Sequence, residues 1–172
     1  MTPESDRADA VDKPIVFVGQ MGVGKSTLGR LLASALDRPF VDSDEYIRRD
    51  TGRNAREVAE SVGVEDLHAL ELEALADALT TDGVVVAAAA SVIDSERGRS
   101  LLDESICVWV DRPGSTEGEH RREVGDSENL AARRPLFESA ADLVLSGEGG
   151  PEEYLGRALA GLEDTFGIAG PG

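Results

Sequence analysis

Glycines at fixed spacing before a lysine and a hydroxyl residue can wrap a phosphate group, and the chain carries that pattern as Gly19-Gln20-Met21-Gly22-Val23-Gly24-Lys25-Ser26, which fits G-x-x-x-x-G-K-[ST]. Gly19, Gly22 and Gly24 let the backbone turn so that its N–H groups, including those of Val23 and Thr27, can close on an anion. The helix predicted to follow adds the partial positive charge of its N-terminus. Lys25 is suited to the β- and γ-phosphates and the Ser26 hydroxyl to Mg²⁺. These residues predict binding of ATP or GTP.

Asp42 and Asp44, in Phe40-Val41-Asp42-Ser43-Asp44-Glu45, form the second candidate group. Both fall at the end of an expected strand, and in a parallel α/β sheet the carboxyl ends of the strands line the ligand crevice. One acid can serve Mg²⁺ while the other accepts a hydrogen bond or a proton from an alcohol to be phosphorylated. The structural alternative is that Ser43 or Asp44 caps the next helix.

The elements that must position these residues follow from hydrophobic periodicity. Short Val- and Ile-rich runs predict strands over 14–18, 39–41, 84–88, 106–110 and 141–145. Amphipathic spacing predicts helices over 25–36, 44–50, 55–61, 64–79, 95–102, 128–140 and 151–166. Strands without polar alternation, separated by helices, imply a three-layer α/β domain with a parallel sheet covered on both faces. The expected organisation is a flexible tail over 1–12, one domain over 13–167 with a polar, turn-rich lid at about 111–127, and a C-terminal tail over 168–172.

Composition narrows the function classes. The 34 acidic residues outnumber the 17 basic ones, for a formal net charge of -17. Such a field repels nucleic-acid backbones and anionic lipid, so neither is an expected partner. The longest apolar run, near 84–93, is far short of the roughly 20 residues that cross a bilayer, and the polar N-terminus lacks the apolar core of a secretory signal. A soluble, cytoplasmic protein is expected. The lone Cys107 excludes an internal disulfide, and His68 and His120 lack a third ligand at metal spacing. Trp109 is expected in core or lid packing, and Glu71 and Glu73 as solvated acids or partners of nearby arginines.

Taken in order, Gly19 to Gly29, Phe40 to Asp44, Thr51-Gly52-Arg53, Gly63, Glu71 and the later Arg133-Arg134-Pro135-Leu136-Phe137 resemble the shikimate kinase family. The resemblance is close over 14–71 and thins afterwards. It implies a P-loop kinase fold with a five-stranded parallel sheet flanked by helices, with ATP and Mg²⁺ as cofactors and transfer of the γ-phosphoryl group to a small alcohol. It further implies phosphate binding by Lys25, metal binding by Ser26 and Asp42, and acceptor binding with base catalysis by Asp44. Arg133, with Arg134 as its rival, matches an arginine that holds the acceptor's carboxylate, and Arg121 and Arg122 are the available lid or adenine-stacking cations.

Two departures fall on the acceptor side. Where the family carries Gly-Glu-x-x-Phe-Arg, the chain reads Gly63-Val64-Glu65-Asp66-Leu67-His68, so His68 stands where a carboxylate-clamping arginine is expected. The planar guanidinium fork is lost with it. Where the family has three glycines after the third strand, Ala89-Ala90-Ser91 stands instead, with methyl groups at the pocket floor. These departures lead to the expectation of a kinase for a small hydroxylated acceptor, carboxylates among the candidates, other than shikimate. The alternatives are a nucleotide-binding pseudokinase acting through protein partners and an authentic shikimate kinase.

Overall fold

The computed structural model describes residues 11–112 and 126–170, and side chains from residue 131 onward in the second stretch. The tail residues 1–10 and most of the expected lid, with His120, Arg121 and Arg122, lie outside the described residues.

Five strands form one parallel sheet: β1 Ile15–Val18, β2 Phe40–Asp42, β3 Val85–Ala87, β4 Ile106–Asp111 and β5 Leu143–Ser146, in the order β2-β3-β1-β4-β5. The helices are α1 Lys25–Leu36, α2 Ser43–Thr51, α3 Ala55–Val62, α4 Val64–Ala78, α5 Glu96–Asp103, α6 Asp126–Ala140 and α7 Pro151–Phe166, with a 3₁₀ turn over Ala90–Asp94 between β3 and α5. The expected three-layer architecture is the one observed, and α1 and α7 have the bounds expected from their periodicity. The 3₁₀ turn is new, because so short an element leaves no periodic signature.

Central placement explains why β1 is apolar at every position. All four of its residues are buried, with β3 on one side and β4 on the other. Alternate residues serve opposite faces. Ile15 and Phe17 join Val85, Val108 and Val110 against Leu28 and Leu32 of α1 and Tyr154 and Leu162 of α7. Val16 and Val18 join Val86, Cys107 and Trp109 against Leu75 of α4, Leu102 of α5 and Phe137 of α6. Trp109 stacks on Phe137 with ring centroids 5.6 Å apart, the packing role expected of it.

Parallel strands run their C-terminal ends to one edge, so the β1–α1 loop, Asp42 and the turn after β3 converge there. Ile168, expected in a tail, is buried against the α1–α7 layer, and its N–H donates to the Leu162 carbonyl at 3.2 Å. The last helix is thereby stapled beyond its C-terminal Gly167.

Candidate active site

The loop between β1 and α1 is a cradle built by backbone geometry. Gly19, Gly22 and Gly24 have φ of 147°, 82° and 98°, a region that side chains disfavour. At Gly19 a Cβ would also lie 2.8 Å from the Val110 carbonyl oxygen of β4, so space and φ both demand glycine. Gly24 caps α1 without a side-chain hydrogen bond, and the first turn of α1 carries no acid. Its N–H groups are therefore left to whatever anion the loop holds.

The Lys25 ammonium folds back onto that loop, donating to the carbonyl oxygens of Gly19 and, at 3.1 Å, of Gln20. Burial pulls it down to about 8; Asp44, Glu71 and Asp42 oppose that fall and Arg133 adds to it. The chain has placed a desolvated cation where polyphosphate oxygens would better satisfy it. Ser26 is half-buried and Thr27 exposed at the start of α1, while Val23 is buried beneath the loop.

Asp42 carries two duties. Its Oδ1 accepts from the backbone N–H of Asp44 at 2.8 Å and of Glu45 at 3.4 Å, so Asp42, not Ser43 or Asp44, is the cap of α2. Oδ2 takes no part in the cap, and the cap does not use the Asp44 side chain. Ser43 Oγ, between the two acids, is buried without a hydrogen-bond partner among the described residues. Hydroxyl and carboxylate oxygens at Ser26 and Asp42 are the hard donors that suit Mg²⁺, which keeps part of its water and phosphate shell. The cradle, the desolvated lysine and this donor set fit a Mg²⁺-bound nucleoside triphosphate.

On the acceptor side, the sequence-level reading of Glu71 is corrected. It is not solvated: 7% exposed on α4, it accepts a hydrogen bond from Ser91 Oγ at 3.1 Å and lies within the charge field of Arg133. Burial pushes its carboxyl up to about 7; Ser91, Lys25 and Arg133 pull against that, and Asp44 adds to it. His68 is half-buried one turn before Glu71 on α4. Ala89, Ala90 and Ser91 open the 3₁₀ turn, and among the described non-glycine residues only Asp37 has positive φ. The backbone here has thus settled into a conformation that alanine adopts readily.

The two candidate arginines on α6 part company. Arg133 reaches the loop, its Nη1 donating to Gln20 Oε1 at 3.0 Å while Nε and Nη2 donate to Asp94 Oδ1 and Oδ2 at 2.9 and 2.8 Å. Arg134 turns to the end of β4, forking onto Asp111 at 3.2 and 2.9 Å above the Trp109 ring. Sequence reasoning missed Gln20, Asp94 and Arg112. The last lies with its Nη1 3.9 Å from where a Gly24 Cβ would stand, held over the Tyr154 ring. Only its position just after β4 hinted at this, since strand C-termini face the crevice.

The model of the shikimate kinase family matches residues 21–162 of the chain. A shikimate kinase of Corynebacterium efficiens is 36% identical over 164 residues, 87% of this chain and 96% of that protein. A second, of Symbiobacterium thermophilum, is 34% identical over 143 residues, 74% of this chain and 82% of that one. Among solved structures, shikimate kinase from Acinetobacter baumannii in complex with shikimate superposes with a TM-score of 0.79 at 25% identity, covering 90% of this chain and 94% of that chain. Shikimate kinase from Aquifex aeolicus superposes at 0.75 with 27% identity, covering 87% and 96%.

Proposed function

We propose that this chain, which belongs to the shikimate kinase family, transfers the γ-phosphoryl group of ATP to a hydroxyl of shikimate. The observation that carries the reading is the likeness to shikimate kinases along nearly the whole chain, including one solved with shikimate bound. It favours shikimate over the different acceptor expected from His68 and the alanine floor. The same reading treats residue 13 through the packed Ile168 as one cytoplasmic kinase domain with a lid at about 111–127.

In this mechanism the β1–α1 loop binds the phosphates through its N–H groups, and Lys25 exchanges its two loop carbonyls for phosphate oxygens. Ser26 and Asp42 Oδ2 would hold Mg²⁺, which when bound neutralises phosphate charge. Asp44 accepts the proton of the acceptor hydroxyl and orients that oxygen. Arg133 holds the acceptor's carboxylate, and His68 offers no second guanidinium fork. Catalysis then rests on positioning and charge stabilisation more than on covalent chemistry.

A kinase assay with shikimate and ATP·Mg²⁺, followed by phosphorus NMR, tests the reading. Turnover of about 1 to 100 per second with one new phosphate monoester is the expected result. ATP·Mg²⁺ binding without any phosphorylated shikimate would overturn it. Another small alcohol as acceptor is the second reading, carried by Ala89, Ala90 and His68, and a panel of cyclitols, hydroxy acids and sugars in the same assay decides it.

A further inference from the structure

Arg133 is already engaged in the kind of contact that a carboxylate substrate would make. Asp94, the last residue of the 3₁₀ turn, places both oxygens on the Nε and Nη2 edge of the guanidinium at 2.9 and 2.8 Å. That is a bidentate, charge-assisted pair. Gln20 takes Nη1 from the other side. The Arg133 side chain is 16% exposed and that of Asp94 41%, so the carboxylate stands on the solvent side of the cation.

Charge sharpens the point. Asp94 neutralises the arginine that α6 brings to the loop, and Asp44 and Glu71 both act on neighbouring Lys25. An incoming anion therefore meets a cation that has its counter-charge in place, and a second carboxylate beside it. An internal ligand held on a short turn also has a high effective concentration, which a dissolved ligand must overcome.

We propose that Asp94 is a specificity-determining residue, an internal carboxylate on the Arg133 fork that the acceptor's own carboxylate must displace. This rests on the reading of Arg133 as the acceptor's anchor. Binding is an exchange of one carboxylate for another, and the apparent affinity for anionic acceptors is reduced by the fraction of molecules in which the fork is closed. Weak or poorly aligned anions are refused, while an acceptor that brings hydroxyl contacts to Asp44 gains enough to open the pair.

The test compares the full-length protein with Asp94→Asn and Asp94→Ala in steady-state kinetics at saturating ATP·Mg²⁺, with calorimetric titration of shikimate in parallel. The expected result is a fall of about fivefold to tenfold in KM and Kd for shikimate in both variants, larger for Ala, with the change in KM rather than kcat. The neutral methyl ester of shikimate should show no such gain. If Asp94 merely held Arg133 in place, KM would rise, and a rise or no change while the wild type turns over shikimate overturns the proposal and leaves the shikimate reading intact. A wild type that neither binds nor phosphorylates shikimate beside an Asp94→Ala variant that binds it supports the proposal and overturns the reading. No binding by any of the three proteins, with melting curves showing each folded, overturns both.

Discussion

Asp44 stands two residues past the acid that caps its own helix, and its charge acts on the Lys25 ammonium of the phosphate loop. Asp44→Asn removes the proton acceptor but keeps the shape, so phosphoryl transfer should fall about 100-fold to 10,000-fold while a nucleotide titration changes little. A loss below tenfold would remove Asp44 from that role. Glu71 makes a separate prediction about stability. Its carboxyl is raised from 4.5 to about 7 by burial, so the folded protein binds more protons than the unfolded chain between those values, and stability falls as pH rises through that window. Glu71→Gln should flatten the dependence and gain up to about 3 kcal/mol above pH 7. Denaturant unfolding of the nucleotide-free protein at pH 5 and pH 8 measures both, and equal pH slopes for the two proteins would refute the assignment. Lys25 acts oppositely at higher pH: its value near 8 leaves the folded protein with fewer bound protons than the unfolded chain up to about 10.5, so this contribution increases with pH there.

At the scale of elements, the turn after β3 decides the shape of the acceptor side. It carries Ser91 to Glu71 and Asp94 to Arg133, and it is braced from beneath by Gly98 of α5. A Cβ on Gly98 would lie 1.9 Å from the Val92 carbonyl oxygen, a backbone atom that cannot move without shifting the turn. Gly98→Ala should therefore cost about 2 to 3 kcal/mol, a melting temperature lower by roughly 5 to 10 °C, and should loosen the Asp94 pair as well. A calorimetric melt within about 1 °C of wild type would show that the turn relaxes freely. Periodicity made α1 and α7 legible because both present long apolar stripes to one sheet face. It could not reveal the turn over Ala90–Asp94, whose conformation depends on what α5 packs beneath it. Periodicity places the N-terminus of α2 one residue late for a related reason: a strand-end aspartate becomes its cap only once β2 has fixed the backbone before it.

For the whole molecule, the excess of 34 acidic over 17 basic residues sets a condition on stability and on nucleotide capture. Salt should screen the self-repulsion, so raising NaCl from about 0.05 to 0.5 M is expected to increase the melting temperature by a few degrees and to speed ATP association. A melt that falls with salt would show that attractive pairs outweigh the net charge. Pairs such as Arg134 with Asp111 are half-exposed at 46% and 25%, and contribute little against it. By itself, the sequence determined the phosphate loop, the strand and helix order and the kinase lineage, because each is written in local spacing: glycines before a lysine, runs of Val and Ile, apolar residues one helical turn apart. Only the tertiary structure decided that Glu71 is buried against Ser91, that Arg133 and not Arg134 reaches the loop, and that Asp94 closes on it. Those outcomes join residues 20, 39 and 113 positions apart, and a contact across such separations exists only after packing has brought the elements together.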